Sequence, residues 1–200
     1  MPRERPILFR PELVRAILDG RKNQTRRVVR PQPADGDRSS TRSCIGPGDH
    51  LHICPGIRCP YGFAGDRLWV RETWRVSPSG ETSPYSPEHC HYRADADEPA
   101  ADGCWRPSIH MPRWACRLVL EVTGVRVERL QAIDEIGARD EGVEPVAAGD
   151  GPGVITTAGN ISYRKAFAQG WDRINGPRGY GWDANPWVWV IAFRVAEVRG

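Results

Sequence analysis

Near its C-terminus the chain carries the run Trp187-Val188-Trp189-Val190-Ile191-Ala192-Phe193, in which every residue is apolar. Its β-branched and aromatic content, directly behind Asn185-Pro186, reads as a strong strand over 185–198. The run is far shorter than the roughly 20 apolar residues a membrane-spanning helix needs, and no other run approaches that length. A second long strand is expected over 116–128, where Leu118, Leu120 and Val122 alternate with their neighbours. A third follows the Gly65-Asp66 turn, over 68–74, and shorter ones fall on Ile7-Leu8-Phe9 and Val28-Val29. Between them lie helical patterns. Pro11 opens one, with Leu13, Val14, Ile17 and Leu18 on one face and Gly20 as its stop. A second spans 131–141. A third spans 161–174, with Tyr163, Phe167 and Trp171 at four-residue spacing. Residues 31–62, 77–112 and 149–159 are rich in loop-forming residues. The pattern predicts one α+β domain over 1–200, built on a mixed, partly closed β-barrel. Short helices flank it, and long loop insertions fall at about 31–62 and 77–112.

Charge narrows the function classes. The net charge is +3, from 28 Lys+Arg against 25 Asp+Glu. That balance argues against a large DNA-wrapping surface and leaves room for a local basic patch. Lys22 and Lys165 are the only lysines. The arginine excess suits planar recognition of phosphates and base edges, and equally suits a GC-rich coding sequence. The N-terminus is charged and lacks an apolar segment behind it, so a soluble cytoplasmic protein is expected. The six cysteines then read as thiols or metal ligands before disulfides.

Two places carry chemistry. On the strand after Gly65-Asp66, Leu68, Val70 and Glu72 share one face. If that face is the core, Glu72 is a carboxylate inside or at the rim of the barrel. It must be paired, hydrogen-bonded or protonated, and desolvation would raise its pKa toward a useful acid–base range. The alternative is a Glu that closes the barrel by pairing with an Arg. Lys22 and Thr25 sit just past the helix stop at Gly20, at the edge where barrels bind ligands. A desolvated lysine can be neutral and act as a base, as arginine cannot. A threonine hydroxyl beside it would be an activated nucleophile. The alternative is a surface lysine and a turn threonine. Arg21, Arg26 and Arg27 would lower the Lys22 pKa and an ionised Glu72 would raise it.

The segment Gly20-Arg21-Lys22-Asn23-Gln24-Thr25-Arg26 resembles the G-x-K-x-x-T-x-R signature of the ASCH family. Gly65-Asp66-Arg67-Leu68-Trp69-Val70-Arg71-Glu72 resembles its G-D-x-L-x-x-x-E strand. Further segments are similar to larger ASCH-like proteins of bacteriophages and prophages: Cys59-Pro60-Tyr61-Gly62, Tyr92-Arg93-Ala94-Asp95, the stretch 105–115 and the stretch 182–190. The resemblance implies a PUA-like barrel, a fold that also hosts RNA-binding and modified-base-reading domains. Compact bacterial members are amidohydrolases acting on N4-acetylcytidine through a Lys, a Thr and a Glu, which correspond here to Lys22, Thr25 and Glu72. This chain is about twice their length. The implied reaction has Lys22 take the Thr25 proton and Thr25 attack the exocyclic amide. Glu72 then protonates the departing amine and activates water for deacylation, with Arg26 or a backbone N–H at the oxyanion. Arg26, Trp69, Tyr92 and Arg93 are the expected substrate contacts, Tyr92 and Arg93 on the resemblance alone.

The expected ligand is a nucleoside or modified nucleobase, with RNA or another single strand as a further partner and no membrane. No cofactor is expected. Cys44, His50, His52, Cys54 and Cys59 crowd one loop but lack the C-x-x-C spacing of structural zinc sites, so no metal is expected either. The competing reading is a non-catalytic RNA- or modified-base-binding module, with Lys22 on phosphate and Glu72 on a base edge. A nuclease reading lacks a clustered Asp/Glu metal site.

Overall fold

The computed structural model describes residues 2–33, 43–46, 50–53, 57–76, 89–96, 104–149, 153–156 and 159–199; for 43–46, 50–53 and 57 it describes the backbone alone. In chain order the elements are β1 (Glu4–Leu8), α1 (Pro11–Leu18), β2 (Gln24–Val28), β3 (Ser43–Gly46), β4 (His50–Ile53), β5 (Ile57–Arg58), β6 (Arg67–Arg71), β7 (Trp74–Val76) and β8 (Cys90–Tyr92). They continue with β9 (Leu118–Arg129), α2 (Glu135–Asp140), β10 (Val146–Ala147), β11 (Val154–Thr156), β12 (Gly159–Ser162), α3 (Tyr163–Asn175) and β13 (Trp187–Val198). The class is α+β, as the sequence indicates, and no helix is long and apolar enough to cross a membrane.

The main sheet has the order β1-β6-β9-β13-β2. β1 pairs parallel to β6 and every other neighbour is antiparallel. Its centre is the apolar run at 187–193. β13 lies between β9 and β2, and both of its faces are covered. Trp189, Ile191 and Phe193 join Ile7, Phe9, Val14, Ile17, Leu68 and Val70 in one core. Val188 and Val190 join Leu130, Ile133, Phe167 and Trp171 in a second. A strand buried on two faces has no position for polar alternation, which is why the run is unbroken. Each fully buried Val or Ile contributes about 1.5–3 kcal/mol. A third, smaller core holds Trp74, Tyr92, Met111, Ala115, Cys116 and Val119.

The two edge strands come together without a ladder. Among the described residues no backbone pairing joins β1 to β2, so the sheet is curled but open. What spans the seam is a side chain: Arg27 Nη2 donates to Leu8 O at 2.8 Å, with the guanidinium 5.1 Å from the centre of the Phe9 ring.

Local chemistry sets several boundaries. α1 starts at Pro11 and ends at Gly20, whose φ of +72° suits a residue without a side chain. The 131–141 helix is shorter than its pattern suggests. Leu130–Ala132 form a 3₁₀ turn, and α2 begins only after Asp134, whose carboxylate accepts the Gly137 N–H at 2.7 Å. α3 begins at Tyr163 because Ser162 caps it by accepting the Lys165 N–H; Ile161 and Ser162 instead belong to β12, which pairs with β10 and β11. The 31–62 insertion is not all loop, since β3, β4 and β5 form a small antiparallel sheet. Within 77–112, β8 pairs with β7, while residues 77–88 and 97–103 lie outside the described residues. The Gly65-Asp66 turn also acts as a clasp, because the buried Asp66 accepts the Arg3 N–H at 2.9 Å and so fastens the start of β1 to β6.

Gly142 follows α2 with φ +77°, packed against the turn that carries Lys22. A Cβ there would lie 2.7 Å from Lys22 Cβ and 2.9 Å from Ala16 Cβ. Gly142→Ala should therefore cost about 2–4 kcal/mol, from a left-handed backbone and a clash with two buried neighbours. Thermal unfolding checks this; a melting temperature unchanged from wild type would show that the close approach is not needed.

Candidate functional site

β2 begins at Gln24, so Thr25 lies on a strand, while Lys22 sits just before it in an isolated backbone bridge to Glu141. Alternation splits the β2 residues between two faces. Gln24 and Arg26 face α2 and α3. Gln24 Nε2 donates to Gly137 O at 2.7 Å, and the Arg26 guanidinium lies 5.9 Å from the Phe167 ring centre. Thr25 and Arg27 face the first core, on the side of Phe9.

Lys22 is buried, with 3 % of its surface exposed. Its ammonium has three donors and three acceptors: Gln24 O at 2.6 Å, Glu141 O at 2.8 Å and Glu141 Oε2 at 2.8 Å. Burial pushes its pKa below the ordinary lysine value, while the Glu141 carboxylate works in the opposite direction. The carboxylate that opposes the neighbouring arginines is thus Glu141, not Glu72. Glu141 also accepts Arg26 Nη1 through Oε1 at 3.1 Å, and Arg26 continues to Glu128 at 2.5 and 3.1 Å. Lys22, Glu141, Arg26 and Glu128 form one buried chain of alternating charge.

Thr25 is 1 % exposed, and its Oγ1 accepts from Arg27 Nη1 at 3.0 Å. Glu72 is also 1 % exposed. It stands one residue beyond β6 and is gripped by both edges of Arg117, Nε to Oε1 at 3.0 Å and Nη2 to Oε2 at 3.1 Å. Desolvation raises its pKa and the Arg117 contacts pull it back down. Arg117 is itself fixed by Asp95 and lies 4.0 Å from the Tyr92 ring centre.

Phe9 links the two halves. Its N–H donates to Arg71 O at 3.1 Å, continuing the β1–β6 register to the level of Glu72. Its ring centre is 5.6 Å from Lys22 Nζ. Lys22, Thr25 and Glu72 are three buried polar side chains; Lys22 lies beside Phe9 and Thr25 on β2, while Glu72 follows β6, the neighbour of β1. No hydrogen bond joins any two of them; each is held by a partner of its own, Glu141, Arg27 or Arg117.

The other expected contacts have defined places. Arg26 lies on the face of β2 opposite Thr25, inside the ion-pair chain. Trp69 is half-buried against the third core, with the Arg71 guanidinium 5.4 Å from its ring centre. Tyr92 is buried, donates to Ala115 O at 2.9 Å and carries Arg117 on its ring. Arg93 donates to Ala96 O at 3.3 Å and lies 5.8 Å from the Trp105 ring centre.

Sequence reasoning missed Glu141 and Arg117. They stand 119 and 45 residues from the groups they serve, and neither lies in a pattern that marks it. Among the described residues no group of three or more His, Cys, Asp or Glu is arranged to hold a metal ion. The side chains of Cys44, His50, His52 and Cys54 lie outside the described residues; Cys59 is buried, with its thiol pushed up to about 11 by desolvation.

No family model matches this chain, and no curated protein matches it. Among solved structures, it is similar to protein EF3133 from Enterococcus faecalis V583, assigned to the family model DUF984. The TM-score is 0.43 at 11 % identity, covering 100 % of this chain and 82 % of that one. A likeness that distant carries no conclusion about fold or function.

Removing Arg117 leaves the buried Glu72 carboxylate without its counter-charge, which costs about 3–5 kcal/mol near neutral pH. The folded-state pKa of Glu72 is already raised, so the native state binds this proton more readily than the unfolded chain. Stability from this group therefore falls as pH rises from the unfolded value toward the folded one. Arg117→Ala raises the folded value further. Its deficit should shrink as pH is lowered into the ordinary carboxylate range, and Glu72→Gln should relieve it in the double variant. Denaturant unfolding across pH tests this, and a deficit independent of pH would rule out an uncompensated Glu72.

Proposed function

We propose that the chain is an amidohydrolase that removes an acyl group from N4-acylated cytidine or a related modified nucleobase, on a PUA-like fold of ASCH type. The observation that carries this reading is the burial of all three motif side chains, a lysine, a threonine and a carboxylate, in an otherwise largely apolar interior. Buried charges contribute little net stability even when paired, so three motif residues in such positions are functional candidates first.

In this reading Thr25 Oγ1 is the nucleophile and attacks the exocyclic amide carbonyl. Its proton leaves toward Lys22, whose burial disfavours the ammonium. The 2.8 Å hydrogen bond from Lys22 Nζ to Glu141 Oε2 offers a path for the lysine proton without solvent. Arg27, already on Thr25 Oγ1, is placed to face the developing oxyanion, the role the sequence suggested for Arg26. Glu72 protonates the departing base amine and then activates water. Because Thr25 and Glu72 are closed off by Arg27 and Arg117, a substrate reaches them by displacing these two guanidinium groups.

One observation favours a second reading. All three Lys22 donors are engaged, by two backbone carbonyls and by the Glu141 side chain, a set of acceptors that suits an ammonium. Such a lysine suits a module that binds a modified base or RNA without turning it over.

Cytidine release from N4-acetylcytidine separates the two. Thr25→Val keeps the shape of the side chain and removes the hydroxyl. Turnover should fall by about a thousand-fold or more, with nucleoside binding retained and Thr25→Ser recovering part of the rate. Absence of turnover on any acylated cytidine in the wild-type protein, with nucleoside or RNA still bound, would establish the binding module instead.

A further inference from the structure

The arginine that grips Glu72 serves two carboxylates at once. Arg117 turns one edge inward, with Nε and Nη2 donating to the Glu72 oxygens at 3.0 and 3.1 Å. Its other edge turns outward, with Nη1 and Nη2 donating to the Asp95 oxygens at 2.6 and 3.0 Å. The Glu72 side chain is 1 % exposed and that of Asp95 54 %. Arg117 therefore stands between a buried acid and one at the surface.

Asp95 is fixed independently of that contact. Its N–H donates to Tyr92 O at 3.1 Å, closing the turn after β8. The preceding Ala94 is buried in the first core, and its carbonyl accepts Arg15 Nε from α1 at 2.9 Å. The Tyr92 ring centre lies 4.0 Å from the Arg117 guanidinium, and the Tyr92 hydroxyl is fastened to Ala115 O. Asp95 and Tyr92 thus hold Arg117 from the outside, whatever the charge on Glu72.

The charge count gives this arrangement a chemical consequence. A buried carboxylate with an arginine of its own is locked in the charged form, because a proton on it would strand the cation. Glu72, Arg117 and Asp95 carry one net negative charge when all are ionised. A proton on Glu72 brings the three to neutrality and leaves a complete Arg117–Asp95 ion pair. We propose that Asp95 is the counter-charge that lets Glu72 become neutral, by keeping Arg117 paired whether it rests on Glu72 or is displaced from it. Asp95 is a positioning residue, since it touches Arg117 and not Glu72. Its use in the departure of a base amine rests on the hydrolytic reading above; its effect on Glu72 does not.

Little else around Glu72 competes for this role. Met111 offers its sulfur, which accepts the Glu72 N–H at 3.2 Å. Among the described residues, the other titratable groups that face Glu72 are the Tyr92 phenol and the Cys116 thiol, both pushed up by burial and so neutral in the acid range. Desolvation and the Asp95 charge both raise the Glu72 pKa, against the pull of Arg117.

The test is an NMR titration of the glutamate side-chain carboxyl carbons, with the Glu72 signal identified by its loss in Glu72→Gln. Asp95→Asn keeps the shape and an oxygen acceptor and removes the charge. The midpoint read at Glu72 should move to lower pH, and Asp95→Glu should bring it back in part. Glu121→Gln removes a carboxylate paired to Arg194 on the neighbouring strand, and should leave the midpoint in place. If Asp95 only anchors Arg117, its loss frees the guanidinium and the midpoint moves up instead. An upward or absent shift in Asp95→Asn overturns the inference, as does an equal shift in Glu121→Gln.

Turnover of N4-acetylcytidine, measured alongside, separates the two proposals. On the hydrolytic reading, Asp95→Asn should lower kcat near neutral pH by about ten-fold with KM little changed, and move the pH–rate profile to lower pH. A downward midpoint without turnover by the wild-type protein refutes the hydrolase and supports the role of Asp95. Turnover with an unmoved midpoint does the reverse.

Discussion

The ammonium of Lys22 is the point on which the arrangement of this end of the molecule depends. It sits where water cannot reach, and such a charge is tolerated only if every donor finds an acceptor and a counter-charge lies nearby. Both conditions are met by one neighbour and one distant residue: the carbonyl of Gln24 at the start of β2, and the carbonyl and carboxylate of Glu141 at the end of α2. The contact fixes the entry of β2 against the C-terminal end of α2. Gly142 lets the two backbones approach, and Arg26 and Glu128 extend the charge chain to β9. Replacing one member without its partners would leave a buried charge uncompensated.

The strand geometry of β2 then divides labour. Because successive side chains alternate, Gln24 and Arg26 are committed to the helices behind the sheet. Thr25 and Arg27 are delivered to the opposite face, beside Phe9. Arg27 does two things there: it bridges the open seam to Leu8 and occupies the Thr25 hydroxyl. Just beyond β6, Glu72 is held by Arg117, which is held in turn by Asp95 and by the Tyr92 ring. The candidate residues are thus two arginine-capped groups, Thr25 and Glu72, and a buried lysine beside the Phe9 ring. Their electrostatics are set by partners, since Lys22, Thr25 and Glu72 are each held by a different side chain, Glu141, Arg27 and Arg117.

Much of this was legible in the order of residues. The apolar run at 187–193 demanded a buried strand, because an unbroken β-branched and aromatic run of that length satisfies neither a surface strand nor a membrane helix. Leu68 and Val70 were bound to share a face once 67–71 was a strand. The pattern Leu13, Val14, Ile17 and Leu18, with proline before and glycine after, marked α1. The short motifs around Lys22, Thr25 and Glu72 were visible too, since rare lysine use and a turn followed by a strand are local signals.

What only the tertiary structure decided are the relations between distant segments. Nothing in Asp140-Glu141-Gly142 announces that its carboxylate will meet a lysine 119 residues earlier, and nothing in Cys116-Arg117 marks the arginine as the partner of Glu72. The faces of β2 were likewise undetermined, because alternation separates Thr25 from Arg26 but does not say which side holds the helices. The sequence therefore determined the long apolar strands and α1 and marked Lys22, Thr25 and Glu72 as candidates, through local sterics, periodicity and the cost of desolvation. The fold determined which buried groups would meet, because charge pairing acts through space and leaves no periodic trace along the chain.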